Sequence, residues 1–207
     1  MTVDEVRALF TRRDGQYVFA RWGRAIAPVV FGVSDETLAV VKGAISAVVA
    51  MAGHEMAEAD PELGANLMVF FCRDWAELPD IPNLDRLIPE LAPLCARLAA
   101  AEANQYRIFR FDPAGAIKAA FVFVRMDSHM TAVPADVLAI SQAVQIILLW
   151  SDCAFEGFSA LVDTGCGPQL RPEIGALIRA GYDPVLPPAA RDPSHALRLA
   201  ARLGRAG

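Results

Sequence analysis

The chain has 207 residues, of which 55% are hydrophobic and 21% charged, and carries a formal net charge of -5. That length buries about 70% of the surface an unfolded chain would expose, so a disulfide scaffold is unnecessary. Nucleic-acid backbone binding is excluded by the acidic balance and the lack of any block of Lys and Arg. Apolar runs are cut by charged residues, Gln, Pro or Gly before they reach bilayer length. The closest approach, 133–150, contains Asp136, Ser141, Gln142 and Gln145 and reads as a buried helix, not as a membrane span.

MTVDEVRALFTRRDG lacks the basic, apolar and small-residue segments of an export signal, so a cytoplasmic protein is expected. The cysteines Cys72, Cys95, Cys153 and Cys166 form no C-x-x-C pair and are expected to be reduced.

Thr2 and Glu5 have capping-box spacing, and Val6, Leu9 and Phe10 follow with helical period, which predicts a short first helix ending near Arg12. Residues 17–33 are rich in strand formers but interrupted by Gly23, Pro28 and Gly32, which suits one or two strands, with 25–33 the better one. Ser34 is an N-cap, Asp35 and Glu36 suit a positive helix end, and Leu38, Val41, Ile45, Val48 and Val49 line one face until Gly53. Asn66 to Cys72 is a continuous apolar run of strand length, hence a strand covered on both faces.

Helical patterning returns over 84–103, divided by Pro89 and Pro93, with the longer helix opening at Pro93. Gln105–Phe111 and Ala116–Arg125 form a β-hairpin around the turn Asp112-Pro113-Ala114-Gly115. Helices are expected from Pro134 to Trp150, from Arg171-Pro172 to Gly181, and after Asp192-Pro193. The order predicts an α+β fold with a small mixed or antiparallel sheet of about four strands packed by helices, in a single globular domain over 1–207.

Few residues offer chemistry. His54 and Glu58 would share a helix face at i, i+4 and could hold a divalent metal, but the pattern is H-E-x-x-E, without the second imidazole of a zinc protease, and Gly53 and Pro61 bracket it as an acidic loop. Asp163-Thr164-Gly165 copies the aspartic-protease tripeptide in a single copy, where two carboxylates must share a proton. Gly165-x-Gly167 lacks both a P-loop lysine and a third glycine. A hydrolase would draw on His129 as base, Cys153 as nucleophile and Asp127 beside them, but no nucleophile elbow is present. Gln142 and Gln145, at i, i+3 on an apolar helix, are either satisfied amides or ligand contacts.

Taken in order, Arg21-Trp22, the helix from Ser34, Ala65-Asn66-Leu67, the turn at 112–115, the helix 140–150 and Tyr182-Asp183-Pro184-Val185-Leu186 resemble the landmarks of an uncharacterised bacterial domain family with a degenerate zincin-like topology. The resemblance spans most of residues 20–200. It implies a metalloprotease-like fold whose metal motif is lost. It puts the two imidazole positions near Gln142 and Ile146 and the general base near Ala143, none of which can serve zinc hydrolysis. Members of that family are usually exported, whereas this sequence shows no signal peptide.

The leading expectation is therefore a non-catalytic domain that binds a protein partner or assembles with itself, with Trp22, Trp75 and Trp150 as candidate anchors and no cofactor. The alternatives are the hydrolase just described and a domain that binds a small ligand in an apolar pocket.

Overall fold

The computed structural model describes residues 1–165 and 167–203. In chain order they form α1 (Val3–Ala8), β1 (Phe19–Ala20), β2 (Pro28–Phe31), α2 (Asp35–Met51), β3 (Leu67–Cys72), a 3-10 helix (Trp75–Asp80), α3 (Leu84–Leu87), α4 (Leu91–Ala100), β4 (Gln105–Phe111) and β5 (Ile117–Arg125). A second 3-10 helix (Met130–Ala132), α5 (Ala135–Ile147), β6 (Leu161–Asp163), β7 (Pro168–Leu170), α6 (Pro172–Gly181), β8 (Ala189–Ala190) and α7 (His195–Leu203) complete them. The fold is α+β, and among these residues no helix is long and apolar enough to cross a membrane.

The central sheet has the order β2-β3-β5-β4, with β2, β3 and β5 parallel and β4 antiparallel at one edge. Strand alternation splits the core in two. Leu67, Val69, Phe71, Ala120, Val122 and Val124 join the larger core with α2 and α5, whereas Phe70, Cys72, Phe121 and Phe123 face the second core of the first 3-10 helix and α4. The small hairpin β6–β7 and the pair β1–β8 lie outside this sheet. Gly32, at φ +80°, closes β2 so near β3 that a Cβ would stand 2.0 Å from the Phe71 carbonyl oxygen.

Local signals account for most boundaries. Both halves of the Thr2–Glu5 capping box form, and the Ser34 hydroxyl accepts from the Thr37 amide at 3.4 Å. In the hairpin turn, Gly115 N–H donates to the Asp112 carbonyl and Ala116 N–H to the Asp112 carboxylate, both at 2.9 Å. Helix α4 opens at Leu91 instead of Pro93. The proline falls in the first turn, where its missing N–H has no intrahelical partner to lose.

Helix α5 stops at Ile147, not at Trp150. Beyond it Leu149 N–H donates to the Ala20 carbonyl, so the apolar run turns into extended chain alongside β1. Side chains satisfy the carbonyls stranded at the helix end. The Trp150 indole donates to Val144 O, the Trp22 indole to Ile146 O and the Tyr182 hydroxyl to Ile147 O, each at 2.8 Å. Trp22 and Trp75 are buried, so they anchor no partner; the Trp75 indole donates inward to Ala103 O at 2.9 Å.

A buried polar knot ties β2 to β3. Asn66 accepts from Ala27 N–H and donates to Ala25 O, both at 2.8 Å, and donates to Asp60 at 3.1 Å. Asp60 also accepts from the amides of Glu62 and Leu63 and from Arg24.

His195 opens α7 inside the core, 2% exposed, with Nδ1 3.0 Å from the Tyr17 hydroxyl, its ring 4.4 Å from that of Phe19, and Nε2 without a hydrogen-bond partner. Burial, reinforced by Arg198 and Arg202, pushes its pKa down to about 4. Because the unfolded chain takes up the proton first, stability falls as pH drops from about 6.5 to about 4 and then levels, a loss of about 3 kcal/mol from this group. Urea midpoints measured across that range should therefore decline more steeply for the native protein than for His195→Gln; parallel curves would show that His195 is not held neutral.

Candidate functional site

The edge strand β4 builds the site. Its pairing places Gln105 opposite Val124, Arg107 opposite Val122 and Phe109 opposite Ala120, so these three side chains share the face turned toward α5. Arg107 is thereby delivered to a position that apolar residues fill on the neighbouring strand.

No carboxylate meets it there. Among the described residues Arg107 makes no ion pair; its Nη2 donates to the side-chain oxygens of Gln105 and Gln142, each at 2.7 Å, and Gln142 donates to Gln105 at 3.0 Å. The Nε atom is buried without a partner. Two neutral amides fix the guanidinium in place and leave its charge uncompensated. Burial accordingly lowers its pKa to about 10, still well above neutrality.

Beside this triad lies a cavity of about 900 Å³, within the range that accommodates small ligands. One wall is β4 from Gln105 to Phe109, another is Gln145 with Leu149 to Asp152, Ala154 and Phe155 after α5, and the rim is Arg12 to Asp14. Trp150 is braced in it, stacked on Phe10 with ring centroids 5.3 Å apart and met edge-on by Phe155 at 5.1 Å. On the rim Arg13 pairs with Asp152 and Glu156, whereas Arg12 is exposed and joins no ion pair among the described residues. The arrangement suits an anion with a flat apolar body: a cation at the wall, a second at the mouth, aromatic surface between them.

Comparison with protein-family models, curated proteins and solved structures finds no match to this chain.

The residues singled out in the sequence distribute unevenly around this site. Gln142 belongs to it as the buried clamp on Arg107, and Gln145 lines the cavity while donating to the Ser141 hydroxyl at 3.0 Å. Ala143 and Ile146, where the resemblance puts the general base and a second ligand, are packed in the core.

His129 and Cys153 are not brought together. They flank opposite ends of α5, whose 13 residues span about 20 Å. His129 is exposed before the second 3-10 helix, and the Cys153 thiol lies 3.7 Å from the Thr11 carbonyl and 3.5 Å from the Ser151 hydroxyl. Asp127 accepts from Met130 N–H at 2.8 Å and pairs with Arg125; that amide bond, with the nearby positive charge, holds its carboxyl below the usual range.

His54 and Glu58 do not share a helix face either, since α2 ends at Met51 and Gly53 turns the chain at φ +68°. The His54 Nε2 lies 2.8 Å from the Arg24 carbonyl, and its ring packs on Tyr182 at 5.0 Å, a setting whose burial lowers its pKa. Glu58 is exposed, and no group of three or more His, Cys, Asp or Glu among the described residues could hold a metal ion.

Asp163 closes its own turn by accepting from Gly165 N–H at 2.8 Å. Cys72, Cys95 and Cys153 are free thiols, and burial pushes Cys72 up to about 11. Cys166 lies outside the described residues.

Gln105 and Arg107 were missed in the sequence. Their signal is the alternation of Gln-Tyr-Arg-Ile-Phe-Arg-Phe, which puts a cation and an amide on whichever face carries Phe109, once that face is known to be the inner one.

Proposed function

We propose that this is a non-catalytic binding domain whose ligand presents a carboxylate, or an anion of similar shape, to Arg107. The observation that carries the reading is a guanidinium held by two glutamines at the wall of a large cavity, with a buried Nε–H unused and no acidic partner. Proteins seldom desolvate a cation without pairing it, and a site with convergent polar groups and a perturbed pKa is where a ligand completes the pairing. The reading keeps the binding role expected from the sequence and moves it from Trp22 and Trp75 to the β4 groove, which Trp150 lines. Its support against hydrolysis is that, among the described residues, neither His nor Cys lines this cavity.

Thermal-shift titrations with benzoate, phenylacetate and glutarate, each against its neutral amide, test this. The carboxylates should raise the melting temperature, the amides should not, and Arg107→Gln should abolish the difference. Equal responses to acid and amide, or a response that survives Arg107→Gln, would overturn it.

A further inference from the structure

The cavity holds more than a cation. It is lined by consecutive residues from Gln105 to Phe109, which belong to both faces of β4, so it wraps around the free edge of the strand. The direction of that edge follows from one bond. Arg125 N–H donates to Asn104 O, which makes this opposed pair a hydrogen-bonded one; by antiparallel alternation Tyr106 and Ile108 also bond to β5, and the backbone N–H and C=O of Gln105, Arg107 and Phe109 point away from it. No other strand pairs with this edge among the described residues. The bulge at Arg110/Phe111 ends the regular stretch.

We infer that β4 is a docking edge on which an extended acidic segment of another protein adds as a fifth strand, its carboxylates alternating so that one reaches Arg107. The inference rests on the carboxylate reading above and names the kind of molecule that supplies the carboxylate. Three outward residues, spaced about 7 Å apart, fit a partner of about five residues bonded main chain to main chain. Every second side chain of that partner falls on the α5 face, beside Arg107 and within reach of Arg12. Asp14 and Asp152 also border the groove, but Asp152 is committed to Arg13, which leaves Arg12 and Arg107 as the groove's cations without a carboxylate among the described residues. A second copy of this chain fits less well: β4 carries two arginines and no acid, so β4 against β4 sets like charges into one ladder.

Selection of a random short-peptide library on the full-length protein, with the same selection on Arg107→Gln as control, tests the inference. Peptides enriched on the native protein alone should be proline-free with Asp or Glu at alternate positions. A synthetic copy N-methylated at alternate amides on its pairing edge should bind about tenfold more weakly, because it cannot complete the ladder. Arg12→Glu, at an exposed position, should weaken binding without disturbing the fold. No enrichment over the control, basic or patternless winners, indifference to N-methylation, or concentration-dependent dimerisation through β4 would each overturn the fifth-strand inference. If small carboxylates still stabilise the protein through Arg107 while no peptide does, the carboxylate reading stands and this one alone fails.

Discussion

Replacing Arg107 with glutamine should cost carboxylate binding about thirtyfold or more and cost the fold almost nothing. A charge-assisted bond to a carboxylate contributes roughly 1.5–3 kcal/mol, and glutamine at this position offers neither the charge nor the reach. The fold, by contrast, is burdened by this side chain. Its pKa in the folded protein lies near 10, below that of a free guanidinium, so the folded state binds the proton less tightly than the unfolded chain. The penalty is present at neutral pH and is relieved only as pH rises above about 10 toward the ordinary guanidinium range. Removing the charge lifts that penalty, while the Gln142 to Gln105 bond remains and the substituted amide can serve one of the two oxygens left behind. The urea midpoint of Arg107→Gln should match or exceed that of the native protein. A fall of several kcal/mol would mean that Arg107 is there to hold the sheet.

The opposite result is expected at Asp60, where the charge is fully paired. Burial alone would raise its pKa, but the amides of Leu63 and Glu62, the Asn66 amide and Arg24 together bring it below the usual range. Asp60→Ala removes the acceptor for all four donors and leaves Asn66, just before β3, with two of its three side-chain bonds. Leaving a buried donor unpaired costs about 1–3 kcal/mol, a large share of a domain's stability, even though Arg24 keeps its pair with Glu62. Asp60→Asn should recover only part of it, because an amide NH2 would face the donors of Asn66 and Arg24. The native carboxylate stabilises above its unfolded pKa and ceases to do so as pH falls through its lower folded value. Chemical denaturation of the two variants checks this, and a loss below about 1 kcal/mol for Asp60→Ala would show that the knot is dispensable.

The contrast explains what the sequence could disclose. Periodicity and caps are local, so Ser34 and Glu5 announce their helices, and Asp112-Pro113-Ala114-Gly115 announces its hairpin. The end of α5 is not local: Leu148 and Leu149 suit a helix, and only docking against β1, with indole and phenol donors from Trp22 and Tyr182 at the helix terminus, stops it at Ile147. The site was half legible for the same reason. Gln142 stood out as a polar residue on an apolar helix, but its partners Gln105 and Arg107 come from a strand about 35 residues earlier, and nothing in that strand reveals which face turns inward. His129 and Cys153 show the converse error, since lying just outside the two ends of one helix made them neighbours in sequence logic and kept them apart in space.

The Arg107 side-chain Nε–H reports most directly on whether this cation is waiting for an anion. In a ¹H–¹⁵N NMR titration with benzoate, its resonance, assigned by its loss in Arg107→Gln, should be visible in the free protein and protected from solvent exchange. On addition of benzoate it should move downfield and saturate. Benzamide should leave it unmoved. A resonance that ignores benzoate while other cavity residues respond, or that moves equally with benzamide, would contradict the assignment of Arg107 as the ligand's charge partner.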